Sequence, residues 1–151
     1  MLHRIKTKTF NRSTNHRRDM LRNLVRSLIE VGTVTTTDSK AKELRRLSDR
    51  LIHKAQQGTL ASRQLLHRFF GKRDVVNTLV DRIAPLMTDR VSGFTTLTKV
   101  GNRKGDNGKM LTVTLVKKPA NLGSLKKSTT QTKPVTKIKS LAPKAAKTKK
   151  N

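Results

Sequence analysis

Apolar residues recur at helical spacing in four stretches of this chain, and three more stretches carry strand patterns. Leu21, Leu24, Val25, Leu28 and Ile29 follow i, i+3, i+4, i+7, i+8 and predict a first helix over roughly residues 14 to 30. Ser13 or Thr14 offers a hydroxyl to cap it, and Gly32 ends it. The nearly all β-branched run from Thr33 to Thr37 predicts a short strand. Thr37, Asp38 and Ser39 then compete to cap a second helix running to about Gln57. Leu44, Leu47, Leu51, Ile52 and Ala55 form its buried face. Thr59 can cap a third helix that holds Leu65, Leu66, Phe69 and Phe70 and is closed by Gly71. A fourth carries Val75, Val76, Leu79, Val80 and Ile83, with Pro85 limiting its continuation.

Two strands follow, from Phe94 to Val100 and from Leu111 to Val116. The second alternates, with Leu111, Val113 and Leu115 on one face. Between them Gly101 to Lys109 reads as a long hairpin tip rich in turn formers. Beyond Lys117 the pattern ends. Residues 118 to 151 hold ten lysines, no acid and three prolines, a low-complexity basic tail expected to be disordered when free. The expected organisation is therefore a basic arm over residues 1–18, an α+β body over 19–117, and a Lys-rich tail over 118–151.

Charge changes the picture from a small domain to a polyanion binder. The chain has 151 residues and a formal net charge of +26, from 35 Lys and Arg against nine Asp and Glu. Such an excess repels itself in the compact state unless an anionic partner offsets it. Nucleic acid leads, with an anionic membrane surface second. Met1 to Arg18 contains six cations and no acid, and Leu2, Ile5 and Phe10 are too few to bury a core. Arg18, Arg22 and Arg26 continue that charge as a ridge along the first helix. Arg-rich, acid-free starts also occur in mitochondrial transit peptides, but this stretch lacks their amphipathic repeat. Trp and Tyr are absent and only four Phe are present, so phosphate and shape contacts are favoured over base stacking.

Little else suggests chemistry. Without cysteine there are no disulfides, thiol nucleophiles or Cys-based zinc sites. The histidines at 3, 16, 53 and 67 have no metal-ligand spacing, so no metal or cofactor is expected. The hairpin tip fails as a phosphate-binding loop of the nucleotide-hydrolase type. That pattern needs Gly where Arg103 stands and Ser or Thr where Met110 stands. The acids occur singly among bases: Asp38 as a cap, Glu43 beside Arg46, Asp49 beside Arg45 and Arg46. No catalytic carboxylate pair or triad stands out, so neither an enzyme nor a small-molecule substrate is expected. No run reaches a membrane span.

Several short motifs stand in a fixed order: His3-Arg4, Asn11-Arg12 with His16-Arg17, Arg22-Asn23 with Ser27-Leu28, and Thr35-Thr36. Then come Lys40-Ala41-Lys42-Glu43-Leu44-Arg45-Arg46 and Gly101-x-Arg103-x-Gly105-Asp106-Asn107. In these the chain resembles the bacterial-type large-subunit ribosomal protein family numbered seventeen, across roughly residues 2 to 117. The resemblance implies an α+β body of helix, strand, three helices and two strands, with a small mixed three-stranded sheet packed on helices. It implies a structural, non-enzymatic part of the large ribosomal subunit, on its solvent side toward the nascent-chain exit. Its partners would be large-subunit ribosomal RNA and neighbouring ribosomal proteins, in a bacterial cytoplasm or else an organellar ribosome. One departure is Arg90-Val91-Ser92-Gly93-Phe94-Thr95-Thr96, where the family usually has Arg-x-Gly-Gly-Tyr-Thr-Arg. The Lys tail also lies outside the common core.

The expected RNA contacts are His3, Arg4, Lys6, Lys8, Arg12, Arg17, Arg18 and Arg22 from the arm and first helix. The second helix adds Lys40, Lys42, Arg45 and Arg46, and the hairpin tip adds Arg103, Lys104 and Lys109. The competing reading is a DNA-binding architectural or regulatory protein, with the second and third helices as a helix-turn-helix.

Overall fold

The computed structural model describes residues 8–119. His3, Arg4, Lys6 and the tail from residue 120 onward lie outside them. The order is α1 (Thr14–Val31), β1 (Thr33–Thr37), α2 (Asp38–Gln56), α3 (Leu60–Phe70), α4 (Arg73–Asn77), β2 (Thr95–Asn102) and β3 (Lys109–Leu115). This is the α+β order that the periodicities predict.

The chain enters α1 through a reverse turn. Phe10 and Asn11 both have left-handed backbone, at φ 56° and 50°, and Arg12 N–H donates to the Thr9 carbonyl at 3.2 Å. Positive φ is rare for a bulky residue such as Phe. Arg17 and Arg18 stand on α1, within the span predicted for the first helix. That helix buries Val25, Leu28 and Ile29, and Gly32 closes it at φ 81°, donating to the Leu28 carbonyl. No side chain caps its start. At α3 the Thr59 hydroxyl does cap, accepting from Ser62 N–H at 3.2 Å.

Pro85 shapes the end of the fourth helix rather than stopping the chain. After α4 the backbone widens into a π-helical stretch, Thr78–Ile83, and re-forms as a 3₁₀ turn, Ala84–Met87. Pro85 sits in the first positions of that new turn, where its missing N–H has no partner to lose. The Gln56 side-chain amide holds the exit, donating to the carbonyls of Met87 at 2.6 Å and Arg90 at 3.2 Å.

The sheet has the order β1-β3-β2 and is antiparallel throughout, not mixed. A short turn joins β2 to β3, which forces that pair antiparallel. At the other edge Leu115 N–H bonds the Gly32 carbonyl, so β1 starts where β3 ends. Pairing reaches Asn102↔Lys109 through a bulge between Lys99 and Gly101, so the tip shrinks to residues 103–108. Leu111, Val113 and Leu115 face a core shared with Leu44, Leu66, Phe70, Val75, Val76, Leu79, Ile83, Met87 and Phe94. The opposite face carries two rows of threonine, Thr33–Thr114–Thr96 and Thr35–Thr112–Thr98. A hydroxyl–hydroxyl hydrogen bond of 2.9 Å links Thr35 to Thr112.

Candidate nucleic-acid interface

Seven of the nine acids are engaged by groups of this chain. Asp19 pairs with Arg22, Asp38 with Lys42, Glu43 with Arg46 and Asp81 with Arg63. Asp89 pairs with Lys117 and Asp106 with Arg103. Asp49 reaches across the fold: its carboxylate accepts from the backbone N–H of Phe94 at 3.1 Å, because its helix face packs against the start of β2. With the carboxylates so occupied, many cations have no internal counter-charge. Among the described residues the side chains of Arg17, Arg18, Lys40, Arg45, Lys54, Arg68, Lys104 and Lys109 make no ion pair or hydrogen bond.

The expected contacts fall into three groups. Lys8, Lys42 and Lys109 converge at the start of α2. Lys8 Nζ donates to Ser39 Oγ at 3.3 Å, and Lys42 Nζ to Asp38 Oδ2 at 2.8 Å. The Asp38 carboxyl is held below its ordinary range, first by the Lys42 hydrogen bond and then by the charges of Lys42, Lys8 and Lys109. Lys40, Arg45 and Arg46 stand along the same helix, the two arginines exposed. Arg12 is held by His16, 2.6 Å away.

At the hairpin tip Arg103 is clipped to Asp106. Its guanidinium spans both Asp106 oxygens at 3.0 and 2.5 Å, and Gly108 N–H adds a third contact at 3.2 Å. Arg103 foremost, then Gly108, pull the Asp106 carboxyl down to about 2, and Arg103 is itself raised. Lys104 and Lys109 remain as the outward cations of the tip.

The third group is a groove between α1, α2 and α3. Arg18, Arg22, Lys54 and Arg68 line it over Leu51, Leu65, Leu66 and Phe69, around a cavity of about 300 Å³. The Arg22 guanidinium lies over the Phe69 ring, 5.7 Å from its centroid, a cation–π contact. Lys54, Arg68, Leu65 and Phe69 are not among the residues expected from sequence. The signal was the doubled apolar row of α3: Leu66 and Phe70 are fully buried, while Leu65 is 50% exposed. Arg26 leaves the predicted ridge and donates to the Phe70 carbonyl, closing the end of α3.

Among the described residues no three of His, Asp and Glu gather as metal ligands, and no helix is long and apolar enough to cross a membrane. The sequence profile of ribosomal protein L17 matches residues 20–116. The chain belongs to the ribosomal protein L17 family. It is a ribosomal protein and not an enzyme. Curated relatives are each named large ribosomal subunit protein bL17. That of Syntrophotalea carbinolica is 41% identical over 116 residues, covering 77% of this chain and 75% of the relative. That of Finegoldia magna is 44% identical over 105 residues, 70% of this chain and 80% of its own. That of Gemmatimonas aurantiaca is 40% identical over 116 residues, 77% and 98% respectively. The L17 match runs from within α1 to just past the end of β3.

Proposed function

We propose that this chain is a structural constituent of the large ribosomal subunit of a bacterial cytoplasm, where it binds and stabilises folded large-subunit ribosomal RNA beside neighbouring ribosomal proteins. The observation that carries this is the asymmetry of pairing. Carboxylates are matched internally, whereas cations on α1, α2 and the hairpin tip are left unmatched and outward. Lys8, Arg17, Arg18, Lys40, Arg45, Lys104 and Lys109 neutralise phosphates directly, each displacing condensed counterions. His3, Arg4 and Lys6 extend the same contact along the arm. Lys42, Arg46 and Arg103 present charge from positions their carboxylate partners hold still, and Arg12 from one His16 holds. Arg22 acts from the groove.

The DNA-binding alternative needs a polar base-reading row on the second helix of a helix-turn-helix. On α3 the exposed Gln64 and Arg68 are interrupted by exposed Leu60 and Leu65, and most exposed cations, Lys42, Arg45, Arg46, Arg50 and Lys54, stand on α2 instead.

Sedimentation of a lysate on a sucrose gradient tests the proposal. The protein should comigrate with large subunits at moderate salt and leave that position after RNase digestion. Residence at the top of the gradient, or with DNA, refutes it.

A further inference from the structure

We infer that the groove between α1, α2 and α3 is a seat for a single unpaired nucleotide, its base layered on the Arg22–Phe69 stack and its phosphate held by the cationic rim. This deepens the RNA-binding reading above and rests on it.

Two features of the groove converge on that ligand. The first is its division of labour. Arg18, Lys54 and Arg68 supply charge at the rim, Leu51, Leu65, Leu66 and Phe69 supply an apolar floor, and no acid lines it. A nucleotide is divided in the same way, into an anionic phosphate and a flat, weakly polar ring. A duplex backbone offers only the anionic half, and would leave Leu65 facing water or phosphate. A volume of about 300 Å³ lies at the small end of the range for organic ligands.

The second is the prepared stack. Phe69 meets Phe70 edge-on, with centroids 4.9 Å apart and planes at 87°. Phe70 is fully buried, so the Phe69 ring is oriented from below by the core. Arg22 lies on that ring and is oriented from the side by Asp19, at 2.5 Å. Unstacked RNA bases settle on aromatic faces or on guanidinium planes, and here the groove offers one of each, 5.7 Å apart.

The test uses the full chain and two synthetic RNAs, a perfect duplex and the same duplex with one bulged 2-aminopurine. Affinity for each is measured at several salt concentrations, and 2-aminopurine fluorescence reports stacking of the unpaired base. The wild type should prefer the bulged RNA by roughly tenfold, the scale of one base stack, with its fluorescence quenched on binding. Phe69→Leu, which keeps an apolar side chain but no ring, should bring the ratio to about one. Arg22→Lys, which keeps charge but no plane, should do the same. Val91→Ala, an exposed position outside the groove, should leave the ratio unchanged. Equal, salt-dependent affinity of the wild type for both RNAs would overturn the nucleotide seat and leave the RNA-binding reading standing. Persistence of the preference in both variants, each checked for helix content, would place the seat elsewhere. Failure of the wild type to bind either RNA would remove both.

Discussion

The carboxylate of Asp49, midway along α2, accepts a hydrogen bond at 3.1 Å from the backbone N–H of Phe94, forty-five residues away at the entrance to β2. The bond pins the sheet's entry to the central helix where the Phe94 ring is fully buried. Asp49→Ala leaves that N–H without its partner and should cost about 1–3 kcal/mol. Asp49→Asn keeps an acceptor oxygen and should cost less. Urea unfolding midpoints of the two variants check the order.

Arg26 and its neighbours on α1 should separate folding from binding. The Arg26 guanidinium donates to the Phe70 carbonyl, so Arg26→Ala should destabilise by about 1.5–3 kcal/mol, the range for a hydrogen bond to a charged group. The salt slope of RNA binding should not change. A reduced slope with unaltered thermal stability would return Arg26 to the binding ridge.

The opposite outcome is expected of Arg18 and Arg45, whose side chains have no partner among the described residues. Each alanine substitution should lower the slope of log affinity against log salt by about one and leave the melting temperature in place. Nitrocellulose filter binding at several salt concentrations, beside a thermal melt, reads both.

The hairpin tip should be acid-sensitive at an unusually low pH. The Asp106 carboxyl is depressed to about 2 in the fold, by Arg103 first and Gly108 N–H second. A carboxyl depressed on folding adds order above its unfolded value of roughly 3.9, and that order is lost as pH falls through about 2. Carbon-detected NMR titration should place the Asp106 midpoint near 2, and Arg103→Gln should move it up toward the ordinary carboxylate value. An unshifted midpoint in the native chain would contradict the Arg103 clip.

Element order was legible because it is written in spacing. The stripe from Leu21 to Ile29, the β-branched run from Thr33 and the alternation at Leu111 each need only local rules. Partners were legible only where they lie within a turn of helix, as with Glu43 and Arg46. Asp49 bonds across forty-five residues and Arg26 across forty-four, and no periodicity encodes such distances. The groove was hidden for a related reason. Leu65, Leu66, Phe69 and Phe70 look alike in sequence, and only packing against α1 and α2 decides that Leu66 and Phe70 are fully buried while Leu65 and Phe69 stay nearer the surface. The sheet came out antiparallel, rather than mixed, through the return of β3 to Gly32, again a long-range fact.

The bond from Arg26 to the Phe70 carbonyl lies one helical turn from Arg22 and one residue from Phe69. It ties α1 to α3 at the edge of the groove those helices wall. The spacing between the walls is thus fixed by the fold before any ligand arrives. A ligand entering there need not bring the helices together, and the entropy of ordering them is already spent in folding. What remains to be ordered is the tips of Arg18, Lys54 and Arg68. The groove is a rigid floor with a mobile rim, the arrangement in which pre-organisation lowers the cost of binding while long side chains still adapt to the phosphate they meet.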